Sequence, residues 1–168
     1  MKLSNGKNVV ETIREKCRVC FTCVRECPAK AIRIRDGQAE IMGARCIGCG
    51  NCVKVCSQKA KRVLSSLDNV RTILQSKDKK IAMVAPSFPA EFHDVDHKKM
   101  VGALKKLGFD HVHEVGFGAD LVSLAYKELL VSNPDKSYIA TTCPSIVAYV
   151  EKYYPELVPH LAPIVSPM

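Results

Sequence analysis

The feature that most constrains this chain is a cysteine pattern that occurs twice. CRVCFTCVRECPAKAIRI begins at Cys17, and CIGCGNCVKVCSQKAKRV begins at Cys46. The two align without a gap at an offset of 29 residues, and each carries the spacing C-x2-C-x2-C-x3-C. Besides the cysteines, Val24/Val53, Lys30/Lys59, Ala31/Ala60 and Arg33/Arg62 match. A unit this short cannot bury a core of its own, so the two copies are expected to pack around shared content. Eight of the nine cysteines lie between Cys17 and Cys56, and only Cys143 lies beyond. An odd count leaves at least one thiol outside any paired scheme.

The spacing points to metal rather than disulfides. Three cysteines two residues apart crowd a single tetrahedral zinc, and zinc motifs pair C-x2-C with a distant second pair. The same three thiolates wrap one face of an iron–sulfur cubane, each meeting a different iron. The run resembles that of bacterial two-cluster ferredoxins, in which the fourth cysteine ligates the other cluster. That resemblance implies two [4Fe–4S] clusters, one on Cys17, Cys20, Cys23 and Cys56, the other on Cys46, Cys49, Cys52 and Cys27. Gly48 and Gly50 are expected to let the backbone turn N–H groups toward sulfur. Pro28 follows Cys27, whereas Ser57 follows Cys56, a hint that the two clusters have different surroundings.

Charge divides the chain. Residues 1–80 hold 18 Lys and Arg against 7 Asp and Glu, and residues 81–168 hold 7 against 10. A [4Fe–4S]2+ core with four thiolates carries about −2, so two clusters bring the net charge of +8 to about +4. The basic first part reads as a solvated face that balances the clusters, or as a docking patch for an acidic redox partner. Sparse aromatics and the lack of a recognition motif speak against nucleic acid. No apolar run approaches the ~18–20 residues of a membrane span, and MKLSNGKNVVETIREK has no apolar signal region. The expected compartment is cytoplasmic.

Between the cysteine runs, Ile32-Arg33-Ile34, Asp36-Gly37 and Ala39-Glu40-Ile41 read as a hairpin. Residues 66–78 read as a linking helix with Ser66 as N-cap. Beyond it, Lys80 to Ala85 reads as a buried strand and His97 to Leu107 as a helix closed by Gly108. Val112 to Val115 is a second strand, Ala119 to Val131 a second helix, and Tyr138 to Thr141 a third strand. Pro144 suits the first turn of a helix over Ser145 to Tyr154. The fold expected is an α+β ferredoxin-like module at 1–65, a linking helix at 66–79, and an incomplete α/β domain with a short parallel sheet at 80–168.

Cys143 taken alone, before Pro144, is a buried inert thiol or an acidified thiol at a helix N-terminus. The surrounding block, TTCPSIVAYVEKYYPELVPHLAPIVSPM, resembles the first segment of the catalytic domain of [FeFe] hydrogenases. That segment reads T-S-C-C-P-x-W followed by a phrase close to VEKYYPEL-PHL and S-P-M. APSFPAEF (Ala85 to Phe92) and EVGFGADL (Glu114 to Leu121) resemble earlier landmarks of the same domain, and a two-cluster module in front is usual there. The resemblance implies that Cys143 ligates the cubane of the H-cluster. Thr142 replaces the cysteine that relays protons, and Ile146 stands where Trp is usual. A threonine hydroxyl is a poor proton relay near neutral pH, and this departure resembles the sensory branch of the family.

The family's cubane needs four cysteines, and this chain has only Cys143 once eight are used. The expectation is therefore a fragment, a truncated gene product or one half of a split protein, inactive as a hydrogenase alone and completed by a missing C-terminal portion. An H-cluster is expected only in the complete protein. Its expected role is electron relay, with a ferredoxin-like carrier or reductase as redox partner. The alternatives are a stand-alone ferredoxin-type adaptor and a non-hydrogenase relative in iron–sulfur assembly. His111 and His113 share a strand face, His93 and His97 flank Asp94 and Asp96, and His160 sits in the PHL phrase; all read as surface, turn or packing residues. Glu151 and Lys152 read as a solvated helix face.

Overall fold

The computed structural model describes residues 9–168. They form two compact units: residues up to Ser65 together with Cys143–Pro159, and Ser66–Thr142 together with His160–Met168.

In the first unit the repeat is visible at every level. β2 (Ile32–Arg35) pairs antiparallel with β3 (Gln38–Ile41), and Ile32 lies opposite Ile41. Asp36 and Gly37 join them with φ of 48° and 68°. Positive φ at both central positions is what a tight hairpin between right-twisted strands requires. The second copy of β2 is β4 (Lys61–Val63), which pairs with β1 (Val10–Thr12) instead of a following strand. Sequence patterning did not reveal β1, because three residues are too short to establish a period. The one-turn helices α1 (Thr22–Arg25) and α2 (Asn51–Lys54) fall at the same offset. The core is built from small and β-branched side chains, including Val10, Ala29, Ala31, Ile32, Ala39, Ile41 and Ile47.

α6 (Pro144–Tyr153) belongs to this first unit. Pro144 occupies its first turn, where a missing N–H costs nothing. Ala148 joins the core cluster, and Tyr149 and Tyr153 pack against it.

The second unit contains α3 (Leu67–Gln75), β5 (Ile81–Val84), α4 (His97–Lys106), β6 (His111–Glu114) and α5 (Val115–Ser132). β5 and β6 pair in parallel, Ile81 opposite His111 and Val84 opposite Glu114. The intervening α4 makes the crossover that parallel strands need. Asp96 caps α4 by accepting from the Lys98 N–H at 2.8 Å. Gly108, with φ of 106°, takes the left-handed position just past its end. Ser66 sits at the N-cap of α3, but its side chain makes no capping bond.

Two expectations need correction here. The strand at Ile81–Val84 is not buried: Ile81 and Met83 are 52% and 57% exposed, and only Ala82 is covered. A two-stranded sheet has too little width to cover both faces. The third strand reduces to one parallel bridge between Ile139 and Leu161. Thr141 is held instead by side-chain bonds, its hydroxyl donating to Ala162 O at 3.0 Å and its N–H to Tyr126 Oη at 3.0 Å. Among the described residues, the second unit buries only Ala82 and Ala162. Phe117, Leu121, Leu124 and Val131 of α5 stand exposed.

Candidate iron–sulfur site

The two cysteine runs leave the ordinary backbone at matching points. Val19 and Gly48 have φ of 53° and 71°, Phe21 and Gly50 have 61° and 74°, and Lys30 and Lys59 have 45° and 49°. The second run uses glycine at two of these left-handed positions, where it is strain-free. The first run forces a β-branched and an aromatic residue into the same conformation, at about 1–2 kcal/mol each. Phe21 and Gly50 are also the N-caps of α1 and α2. The dihedral repeat shows that both loops keep one shape whatever residue supplies it.

That shape turns N–H groups onto sulfur. Ala31 N–H donates to Cys27 Sγ at 3.3 Å, and its counterpart Ala60 N–H donates to Cys56 Sγ at 3.2 Å. Gly48 N–H donates to Cys46 Sγ at 3.4 Å, as the glycine reading expects. Cys20 Sγ and Thr22 Oγ1 lie 3.4 Å apart. Hydrogen bonding from the Thr22 side chain, then its backbone, holds the exposed Cys20 thiol below the usual thiol range. Burial pushes the Cys23 and Cys52 thiols up, and the Lys61 charge opposes burial at both. The matched pair Ala31/Ala60 was the available signal for these bonds. Both residues are 2% exposed, so a larger side chain has no room there.

The grouping of the thiols decides what they can hold. One cavity is lined by Cys17, Cys20, Cys23 and Cys56. A second is lined by Cys27, Cys46, Cys49 and Cys52. Each therefore takes three thiols from one run and the fourth from the other. None of the nine cysteines is in a disulfide. Among the described residues, no three His, Cys, Asp or Glu side chains close around a single metal ion. Four thiols spread around each cavity, with peptide N–H groups aimed at Cys27 and Cys46 in one and at Cys56 in the other, suit a polynuclear cluster whose charge those N–H groups offset.

The comparisons with known proteins agree. Residues 78–168 match the iron-only hydrogenase large subunit, C-terminal domain, and residues 10–57 match a 4Fe-4S dicluster domain. The chain belongs to the iron-only hydrogenase large-subunit family. It is 38% identical to the periplasmic [Fe] hydrogenase large subunit of Nitratidesulfovibrio vulgaris over 95% of this chain and 42% of that protein. It is 29% identical to iron hydrogenase 1 of Clostridium pasteurianum over 61% of this chain and 20% of that protein. It is 31% identical to the cytosolic Fe-S cluster assembly factor NAR1 of Yarrowia lipolytica over 51% of this chain and 18% of that protein. This hydrogenase-family chain thus spans less than half the length of these relatives. Among the described residues no helix is long and apolar enough to cross a membrane.

Cys143 is exposed and stands at the N-cap of α6, where its carbonyl accepts from Ile146 N–H at 3.0 Å. It lines neither cysteine cavity. Thr142 before it and Ile146 after it are exposed too. At the other end of α6, Lys152 is more than a solvated charge: its ammonium donates to the carbonyls of Cys46 and of Gly43. The histidines remain peripheral. His111 and His113 meet edge to face at 6.4 Å, His93 and His97 sit beside Asp94 and Asp96, and His160 Nδ1 lies 3.2 Å from Ser137 O.

Proposed function

We propose that the eight cysteines hold two [4Fe–4S] clusters by crossed ligation, and that the chain is the electron-relay portion of an [FeFe]-hydrogenase-type protein. When bound, the clusters would supply single-electron transfer. One would rest on Cys17, Cys20, Cys23 and Cys56, the other on Cys46, Cys49, Cys52 and Cys27. The observation that carries this reading is the composition of the two cavities, three thiols of one run plus the fourth of the other. The chain's own part is to hold the thiolates, aim the N–H groups of Ala31, Ala60 and Gly48 at sulfur, and limit water access through the core around Ile32, Ile41 and Ile47.

In this reading, electrons pass between an external ferredoxin-like carrier or reductase and a site to which Cys143 contributes one ligand. H2 oxidation and proton reduction, or H2 sensing, belong to the complete protein. The exposed apolar side chains of α5 support a further portion that covers the second unit. A cytoplasmic setting belongs to the same proposal, and cell fractionation tests it, since one relative is named periplasmic. The likeness to an assembly factor supports a second reading, work in iron–sulfur assembly without hydrogen chemistry.

The test is anaerobic iron and sulfide analysis of the reconstituted chain, with about eight of each expected. Cys27→Ser is expected to damage the cluster of the Cys46 run while sparing that of its own run. A zinc-only chain, or a Cys27→Ser variant that loses the Cys17-run cluster instead, overturns the assignment. H2 evolution from this chain alone would overturn the relay reading.

A further inference from the structure

Lys61 is 4% exposed and is the single buried charged residue among those described. Its ammonium donates to Ala39 O at 2.9 Å and to the Thr12 hydroxyl, both neutral acceptors. Among the described residues no carboxylate lies in ion-pair contact with it. A cation taken out of water with only neutral partners is costly and calls for a counter-charge nearby. The surroundings name that counter-charge. Lys61 lines the cavity of Cys17, Cys20, Cys23 and Cys56.

The repeat supplies the contrast. The residue 29 positions earlier is Ile32, which is buried and lines the other cavity. Where the Cys46-run cavity has Ile32 and Ile47, the cavity of matching backbone shape has Lys61 and Arg18, and of these two cations only Lys61 is buried. Nothing in the hydrogen bonds of Ala31 or Ala60 repeats this difference, since those are alike in both halves.

We propose that Lys61 is a built-in potential-setting cation, which raises the reduction potential of the cluster on Cys17, Cys20, Cys23 and Cys56 above that of its pseudo-symmetric partner. Reduction adds one negative charge to a cluster. A fixed cation beside it stabilises the reduced form more than the oxidised one. A unit charge ~10 Å from a redox centre, at an effective dielectric of about 20, biases a one-electron equilibrium by about tenfold. The electron therefore rests preferentially on the cluster beside Lys61. Lys61 acts through charge and touches no reacting atom, so its role is that of a positioning residue.

This inference rests on the two-cluster reading, so iron and sulfide content are measured first; a chain without two clusters fails there and not here. The test is a redox titration of the full chain followed by electron paramagnetic resonance. Lys61→Gln keeps a donor for Ala39 O and Thr12 but removes the charge. It is expected to lower the higher midpoint by about tenfold in reduced-to-oxidised ratio, about 59 mV for one electron, and to move the lower midpoint less. Lys61→Arg keeps the charge and is expected to stay within twofold of the parent. Unmoved midpoints in a fully loaded Lys61→Gln variant overturn the proposal, as does an equal shift in Lys61→Arg. Lys61→Met is the second neutral variant. If both neutral variants fail to load while Lys61→Arg loads, Lys61 serves assembly only, and the proposal falls.

Discussion

The Tyr153 hydroxyl donates to the carbonyl oxygen of Ala29 at 2.7 Å, joining positions 124 apart. The same hydroxyl lies 2.9 Å from the Arg45 carbonyl. Ala29 is two residues past Cys27, and Arg45 directly precedes Cys46. One side chain at the end of α6 therefore ties the segment just past Cys27 to the residue just before Cys46. The Tyr149 ring packs beside it at 5.2 Å.

Tyr153→Phe keeps the ring and deletes the clasp. The expected loss is about 1 kcal/mol, the ordinary net worth of a partly buried hydrogen bond. Thermal or denaturant unfolding of the cluster-loaded chain measures it. A variant as stable as the parent would show that water replaces the hydroxyl at no cost.

Lys59 holds a left-handed backbone at φ of 49° and its side chain is exposed. Lys59→Gly removes the Cβ conflict while losing little packing. It is expected to stabilise the chain by about 1 kcal/mol, set against the entropy glycine adds to the unfolded state. Chemical denaturation is the check, and a destabilised variant contradicts the strain argument.

Asp110 closes the start of the parallel sheet. Its Oδ2 accepts from Lys80 N–H at 2.7 Å, and its own N–H donates to Lys80 O at 2.8 Å. The Lys80 N–H holds its carboxyl below the usual carboxylate range. A folded-state value below the unfolded one gives stability that is present above the unfolded value of 3.8 and lost as pH falls through the lower folded value. Asp110→Asn is expected to lower the melting temperature at pH 7 and to show a shallower acid decline than the parent. Parallel curves for the two proteins would refute this.

Gly118 approaches the chain's last residues closely. A Cβ placed there meets the Pro167 carbonyl oxygen at 2.3 Å, and that atom is backbone. Gly118→Ala is expected to displace the segment around Pro167 and cost about 1–3 kcal/mol, as overpacking does. Proteolysis near the C-terminus should accelerate. Gly116, with nothing within 4 Å of a Cβ, is the control, and Gly116→Ala should be near neutral.

Local patterns were readable where a short-range physical rule governs them. Asp36-Gly37 announced its hairpin because few other residues tolerate two positive φ angles in succession. Gly108 and Pro144 marked helix ends through capping chemistry, whereas the Asp96 cap of α4 emerged only in the structure. The helix at Ala119 actually begins at Val115, since the apolar stretch ahead of it gave no period to place the start. The third strand failed because strand formation needs a neighbour with free ladder groups. Tyr138 to Thr141 finds only Leu161 for one bridge and the Tyr126 and Thr141 hydroxyls for the rest. Lys152 looked like an ordinary surface charge, since its carbonyl partners lie more than a hundred residues away.

By itself the sequence determined the thiols and their spacing: eight in two equal runs offset by 29 residues, and a ninth cysteine before Pro144. Those are properties of covalent order, and no packing can alter them. Only the tertiary structure decided that Val19 and Phe21 adopt the glycine conformation of their counterparts, because a loop's dihedrals answer to what it must surround. Only the tertiary structure placed the Lys61 ammonium indoors, at a wall where the other half carries Ile32. Burial of a charge depends on which neutral acceptors and which negative groups distant segments bring to it. No local pattern of residues can express that.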